Sequence, residues 1–214
     1  MIVSIIGAGR MARGLATRAL SGGHTVRLID RSHKKAADLA DELRGMLLGA
    51  DVHASDAIGV EDADVVVLAL PYPAGRDVVA DYGTALTGSV LVDICNPVDF
   101  STLDSLVVPP GTSAAEQIAA EAAPGAPVVK AFNTTLASTL VSGQTMGRPL
   151  DVLIAGDEPE AKLTVAELAS SGGMRPLDMG PLRRARELEG LGLLHISVQE
   201  PLGLNWSSAI KILP

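Results

Sequence analysis

Two glycines and an alanine near the start of the chain, Gly7, Gly9 and Ala12, have the spacing of a phosphate-binding turn. Gly7 would permit a sharp turn after an apolar β-branched run, and Gly9, which lacks a Cβ, would let a pyrophosphate approach the backbone. Ala12 would allow close packing of the helix on the strand. The helix would begin at Arg10 and Met11, with its free N–H groups pointing at the phosphates. These five residues therefore predict a dinucleotide site.

The charged residues that follow the second apolar run indicate which dinucleotide binds. A carboxylate there, such as Asp30, usually bonds the adenosine ribose and favours NAD. A guanidinium beside a hydroxyl, as in Arg31 and Ser32, usually holds the 2′-phosphate of NADP. Lys34 adds a cation at a helix start, where cations oppose the helix dipole unless a phosphate offsets them. We expect these four residues to bind NADP, with Asp30 turned aside or capping the helix, and NAD remains the alternative.

Apolar β-rich runs alternate with helical patterns along the chain, which predicts an α/β fold. The expected architecture is a doubly wound, mainly parallel sheet of the Rossmann type with a C-terminal helical and strand extension. We predict one domain over 1–214, with a dinucleotide-binding core at 1–145 and a C-terminal part at 146–214 packed on the sheet edge. Strands are expected at 25–29, 64–70, 89–94, 127–132, 151–155, 174–178 and 208–213. Helices are expected at 34–47, 73–86, 114–122, 158–170 and 181–197, with a short helix or turn at 133–141.

Several residues come directly after predicted strands and should therefore meet at one edge of the sheet. Open parallel sheets bind ligands outside the carboxyl ends of their strands. The residues expected to line the cofactor there are Leu70, Pro71, Tyr72, Asn96 and Pro97, followed by Asn133 and Thr134 after the next strand.

The composition excludes several classes of partner. The formal net charge of −8 argues against a broad nucleic-acid or anionic-membrane surface, and no apolar run has the length of a membrane span. The one cysteine, Cys95, follows an apolar run and is interpreted as a small core residue, although a catalytic thiol at a strand end stays possible. We expect a cytoplasmic protein that binds neither nucleic acid nor membrane.

Motifs along most of the chain resemble the coenzyme F420-dependent NADP oxidoreductase family. They include Gly7-Ala8-Gly9-Arg10-Met11-Ala12 at the front and Ala69-Leu70-Pro71-Tyr72 in the middle. The more specific ones are the run Pro176-Leu177-Asp178-Met179-Gly180-Pro181-Leu182 and the closing Ile210-Lys211-Ile212-Leu213. This chain has Asn133 where the family pattern has a histidine.

The resemblance implies an NADP-dependent oxidoreductase that passes a hydride between NADP(H) and a deazaflavin, coenzyme F420, or a flavin. Asn133 and Thr134 would then be the catalytic residues and would hydrogen-bond the acceptor ring or the nicotinamide carboxamide. No metal is expected. Two alternatives stay open: a reductase of a small imine or keto acid, and a non-catalytic NAD(P)-binding module.

Trp206 has two possible roles. Its indole could cover a flat ring, or it could pack at the edge of the sheet or of an oligomer. We expect the partners to be a small-molecule redox co-substrate and a second copy of the chain, joined as a homodimer through the C-terminal third.

Overall fold

Strands and helices alternate along residues 1–213, which the computed structural model describes. The strands are β1 Ile2–Ile6, β2 Thr25–Ile29, β3 Val52–Ser55, β4 Val65–Leu68, β5 Val90–Asp93, β6 Val128–Lys130, β7 Gln144–Thr145, β8 Arg148–Pro149, β9 Asp151–Gly156 and β10 Arg175–Gly180. The helices are α1 Arg10–Ser21, α2 His33–Met46, α3 Tyr72–Tyr82, α4 Ala114–Glu121, α5 Ala137–Ser142, α6 Pro159–Ser171 and α7 Ala185–Ser197.

Eight of these strands form one sheet in the order β10-β9-β6-β5-β4-β1-β2-β3. The six strands from β6 to β3 are mutually parallel, and strand order reverses beside β1, the switch point at which such sheets bind ligands. β9 pairs antiparallel with β6, and β10 pairs parallel with β9. The doubly wound, mainly parallel sheet predicted from the sequence is confirmed.

Helices cover both faces of the sheet because its strands are apolar on both sides. On one face α1, α2, α5 and α6 bury Ala and Leu side chains against the strands. On the other face, α3, α4 and the start of α7 pack around Leu91 and Ile118. Aliphatic side chains of Ala, Val, Leu and Ile fill most of this core, as expected from the 2% aromatic content.

Several element boundaries differ from those predicted. The strand β3 and the β7–β8 hairpin were not expected, and the helix expected over 181–197 starts as a 3-10 turn at Leu182–Arg184. The predicted final strand at 208–213 is wrong. Side chains bond the backbone there, since Asp151 accepts from the N–H of Ile212 and Arg175 donates to its carbonyl.

The C-terminal part therefore joins the molecule in two ways. β9 and β10 extend the main sheet, and residues 207–213 lack regular structure and are bound to Asp151 and Arg175 at the start of these two strands. The division at residue 145 stays a prediction.

Among the helices formed by residues 1–213, none has both the length and the apolar character needed to cross a membrane.

Candidate functional site

The glycine turn joins β1 to α1 at the predicted edge of the sheet. Gly7 has φ +109°, and a Cβ placed on it would lie 2.4 Å from the Ala69 carbonyl oxygen, so glycine is required there. Gly9 is different, because a Cβ on it would meet no atom within 4 Å. The turn is tight on its inner side and open at Gly9, where a pyrophosphate would approach.

The first turn of α1 carries no side-chain cap, so its N–H groups face the open side. Arg10 is exposed, Met11 is half-buried and Ala12 is fully buried. Close helix packing depends on a residue that the sequence interpretation missed: a Cβ on Gly14 would lie 2.7 Å from Leu140 Cβ and 3.1 Å from the Ala137 carbonyl oxygen. Gly14 thus sets α1 directly against α5.

The carboxylate of Asp30 is turned into the glycine turn. Its Oδ2 accepts from the Ala8 N–H at 3.0 Å and its Oδ1 accepts from the Ser32 N–H at 2.9 Å. Arg31 is exposed and Ser32 half-buried at the start of α2, while Lys34 is paired with Asp38 at 2.7 Å. Both carboxylate oxygens of Asp30 therefore accept from backbone N–H groups, and Arg31 is an exposed cation directly after the end of β2.

An amide pair joins the ends of β5 and β6. Asn133 Nδ2 donates to Asn96 Oδ1 at 2.9 Å, and Asn96 Nδ2 donates to the Asn133 carbonyl at 2.7 Å. Asn133 Nδ2 also donates to the Leu188 carbonyl at 2.8 Å, so α7 is bound to the pair. Gly192 in α7 makes room for it, because a Cβ there would lie 2.2 Å from Asn96 Oδ1.

One acceptor of this pair is unused. Asn133 is 3% exposed, and its Oδ1 has no hydrogen-bond partner in the described chain. A buried acceptor without a donor is costly, at ~1–3 kcal/mol, and a ligand donor would remove that cost. The N–H of a nicotinamide carboxamide would satisfy this oxygen, but the oxygen has almost no accessible surface, so the side chains that cover it would have to move first.

The residue before Asn133 has a strained backbone. Phe132 is fully buried and has φ +60°, a left-handed conformation that non-glycine residues rarely adopt. Thr135 stabilises it by donating to the Phe132 carbonyl from its N–H at 3.0 Å and its Oγ1 at 2.6 Å. Strain of this kind concentrates at functional sites, and it orients the segment that carries Asn133 and Thr134.

The other predicted residues at the strand ends differ in exposure. Leu70 and Tyr72 are half-buried, Pro71 is exposed, and Tyr72 donates to Gln117 of α4. Pro97 is buried. Thr134 is 3% exposed, and its carbonyl accepts from His195 Nδ1 at 3.2 Å. Burial lowers the pKa of His195, and the Thr134 carbonyl acts against that shift.

A sealed charge cluster lies beneath the amide pair. Lys130 is 0% exposed, and its Nζ donates to Asp93 at 2.7 Å, to Glu189 at 2.8 Å and to the Cys95 carbonyl at 2.6 Å. Glu189 also accepts from the N–H groups of Ala114 and Ala115, the first residues of α4. The cluster ties β5, β6, α4 and α7 together.

Neighbouring charges and burial determine the protonation states of Lys130 and Cys95. Burial alone lowers the pKa of Lys130, but Asp93, Cys95 and Glu189 outweigh it and the net shift is upward. Burial, and then the Asp93 charge, raise the pKa of the Cys95 thiol well above its usual value. Lys130 thus stays protonated with all three donors engaged, and Cys95 stays a thiol, as expected of a core residue rather than a nucleophile.

The glycine turn, the inward carboxylate and the amide pair line the carboxyl edge of one doubly wound sheet. That combination defines a dinucleotide-binding protein of the Rossmann class. Residues 2–97 match the family model described as NADP oxidoreductase, coenzyme F420-dependent. The F420-dependent NADP reductase of Methanothermobacter marburgensis is 30% identical over 200 residues, which cover 90% of this chain and 89% of that protein. The chain belongs to the coenzyme F420-dependent NADP oxidoreductase family, a family of NADP-dependent oxidoreductases.

Two further comparisons extend this assignment. The crystal structure of a candidate F420-dependent NADP reductase from Arthrobacter sp. FB24 superposes with a TM-score of 0.83 at 30% identity, covering 99% of both chains. The metalloreductase STEAP3 of Rattus norvegicus is 35% identical over 191 residues, which cover 89% of this chain but 36% of that protein. The chain thus spans about a third of the metalloreductase and nearly all of the reductase from Methanothermobacter.

Proposed function

We propose that this protein transfers a hydride between NADP(H) and the flat ring of a deazaflavin, coenzyme F420, or of a flavin. Family membership supports the oxidoreductase class and the use of NADP and coenzyme F420. One observation supports transfer to a flat ring. The side chains at the ends of β5 and β6 are the neutral amides Asn96 and Asn133, whereas the charged Lys130 is buried beneath them.

The strand ends suit a reaction between two redox carriers. Bound NADPH supplies a hydride, and a ring that accepts it can take its proton from water. The protein then has to orient the two rings and needs no acid or base of its own. Reduction of a small imine or keto acid would instead call for a proton donor near the substrate. The buried Lys130 ammonium uses all three of its N–H groups in hydrogen bonds to buried acceptors and is not available for that role.

The residues of the turn account for binding of the dinucleotide. Gly9 and the uncapped N–H groups of α1 would receive the pyrophosphate. Arg31 and Ser32 would hold the 2′-phosphate, and both carboxylate oxygens of Asp30 are already turned to backbone N–H groups. Asn133 Oδ1 would accept from the nicotinamide carboxamide once the side chains that cover it have moved.

An activity matrix of two donors against several acceptors tests the reaction. NADPH and NADH are each combined with coenzyme F420, FMN, FAD and riboflavin, and a ferric chelate is included because one relative is named a metalloreductase. We expect turnover of NADPH with coenzyme F420 or a flavin. If none of these rings is reduced, the proposal is wrong.

Replacement of Arg31 tests the choice of NADP. Arg31→Ala should weaken NADPH binding by about 10- to 150-fold, since a hydrogen bond to a charged group contributes ~1.5–3 kcal/mol. NADH, which has no 2′-phosphate, should bind as before. Isothermal titration measures both affinities, with Arg183→Ala as the control because Arg183 is also exposed but lies before α7. Equal losses for NADPH and NADH would contradict the assignment.

A further inference from the structure

The chain has one tryptophan, and its ring stands at the surface. Trp206 is 49% exposed in a protein whose aromatic content is only 2%. Its backbone has φ +56° and that of Asn205 has φ +51°, so two consecutive residues are left-handed. This conformation is unfavourable for a bulky side chain and persists only where neighbouring contacts hold it.

Those contacts come from the segment that follows Asn133. Ser138 Oγ, in the first turn of α5, donates to the Trp206 carbonyl. The next two residues are held as well: Thr145 Oγ1 donates to the Ser207 carbonyl at 3.1 Å, and Ser208 Oγ lies 2.8 Å from His195 Nε2. His195 in turn contacts the Thr134 carbonyl through its other ring nitrogen. The position of Trp206 is therefore fixed relative to the segment that carries Asn133 and Thr134.

The start of α5 lies beside the start of α1. Both helices leave the carboxyl edge of the sheet, and Gly14 lies so close that a Cβ on it would be 3.1 Å from the Ala137 carbonyl oxygen. Ser138, which holds Trp206, is the residue after Ala137. The backbone of Trp206 thus lies at the start of α5, the helix that follows the Asn133–Thr134 segment, and its indole is half-exposed there.

We propose that Trp206 is the stacking surface for the flat ring of the hydride acceptor, an inference that rests on the function proposed above. A half-exposed indole offers a large, rigid face at low entropic cost, and aromatic faces bind planar heterocycles by stacking. The anchored backbone keeps the attachment point of the ring in place, so that only the side-chain rotamer has to be ordered when the acceptor binds.

Two variants of Trp206 separate stacking from other roles. Trp206→Phe keeps an aromatic face, whereas Trp206→Leu keeps apolar bulk without one. Leu202→Ala is the matched control, because Leu202 is 66% exposed on the turn that precedes Trp206. Dissociation constants for coenzyme F420, FMN and NADPH are measured by equilibrium dialysis with the full chain. The absorbance spectrum of the bound acceptor is recorded alongside.

Stacking predicts a specific pattern. Trp206→Leu should weaken acceptor binding by at least ~10-fold and abolish the shift of the acceptor absorbance band, while Trp206→Phe and Leu202→Ala stay within about threefold of the unmodified protein. NADPH affinity should be the same in all four proteins. An unmodified protein that binds and reduces no acceptor would refute the proposed function, and this inference with it, before any variant is made.

Three other results would overturn the inference alone. In the first, Trp206→Leu binds both acceptors normally. In the second, it weakens NADPH and acceptor equally and lowers the helical circular dichroism, which would make Trp206 a packing residue. In the third, it changes the mass in solution while acceptor affinity is kept, which would make the ring part of a contact with a second copy of the chain.

Discussion

Among single residues, Lys130 is in the least common environment. Its ammonium is 0% exposed between the carboxylates of Asp93 and Glu189, and its third hydrogen bond goes to the Cys95 carbonyl. Burial of charge is costly unless every donor and acceptor is engaged, and here all three donors are. The carbonyl of Cys95 immediately precedes Asn96, so the cluster also positions the amide pair.

Removal of this ammonium should be strongly destabilising. Lys130→Met leaves two carboxylates buried without a cation, and breaking a buried ion pair from one side typically costs ~3–5 kcal/mol. Urea unfolding at pH 7 measures the loss. Lys34→Met is the control, because Lys34 forms an exposed pair with Asp38 that should contribute less than ~0.5 kcal/mol. If Lys130→Met is as stable as Lys34→Met, the cluster does not stabilise the fold.

At the scale of elements, substitution of the two glycines of the β1–α1 turn should have different effects: one should reduce stability and the other should weaken binding of NADPH. Gly7→Ala places a methyl group against the Ala69 carbonyl at a φ of +109°, so the protein should be destabilised by ~1–3 kcal/mol. Gly9→Ala places its methyl group in open space and should leave unfolding nearly unchanged. It should instead weaken NADPH binding at least ~10-fold, because the methyl group occupies the approach of the pyrophosphate.

Thermal unfolding and NADPH titration of both variants check this separation. A Gly9→Ala protein that binds NADPH normally would show that the pyrophosphate does not lie on this turn. A Gly7→Ala protein with unchanged stability would show that the turn can relax around the Ala69 carbonyl.

The elements also show how far the sequence alone predicts the structure. The first βαβ unit is defined by local patterns, and so is the cap of α4, where Ser113 accepts from the Glu116 N–H three residues on. Contacts between distant segments leave no such pattern. Nothing near Gly192 in the chain indicates that it must accommodate Asn96, and the bond between Lys130 and Glu189 joins residues 59 positions apart.

The final segment shows a second limit of prediction. Residues 208–213 have the apolar, β-branched composition of a strand, but the backbone groups of Ile212 bond the side chains of Asp151 and Arg175. The composition of this segment could not reveal these hydrogen bonds, because they depend on where β9 and β10 place the side chains of Asp151 and Arg175.

For the molecule as a whole, Asp151 joins the sheet to the end of the chain. It is paired with Arg175 at 2.6 Å and with Lys211, and it accepts from the Ile212 N–H at 2.8 Å. Burial by itself raises the pKa of Asp151, but hydrogen bonds from Arg175 and Lys211 outweigh it and lower the pKa to about 2 from an ordinary value of 3.8.

This shift predicts a dependence of stability on pH. Because the folded pKa of Asp151 is below the unfolded one, its contribution is complete above about pH 4 and is lost as the pH falls toward 2. Asp151→Asn should therefore be less stable than the unmodified protein at pH 6, and the difference should shrink between pH 4 and pH 2. Urea unfolding at a series of pH values measures it.

Asp178→Asn provides the comparison for Asp151. The Asp178 carboxylate is 60% exposed and its pKa is lowered chiefly by Lys162, so the substitution should have a smaller effect at every pH. A difference between Asp151→Asn and the unmodified protein that stays constant from pH 6 to pH 2 would contradict the assignment of the titration to Asp151.

The sealed thiol of Cys95 has a practical consequence for spectroscopy. Cys95 is the one cysteine of the chain, it is 7% exposed, and its raised pKa leaves almost no thiolate at neutral pH. Maleimide and iodoacetamide reagents attack thiolates, so the native chain is close to inert toward them. A cysteine introduced at an exposed position can therefore carry a fluorophore or spin label by itself, without replacement of Cys95 and without disturbing the charge cluster around it.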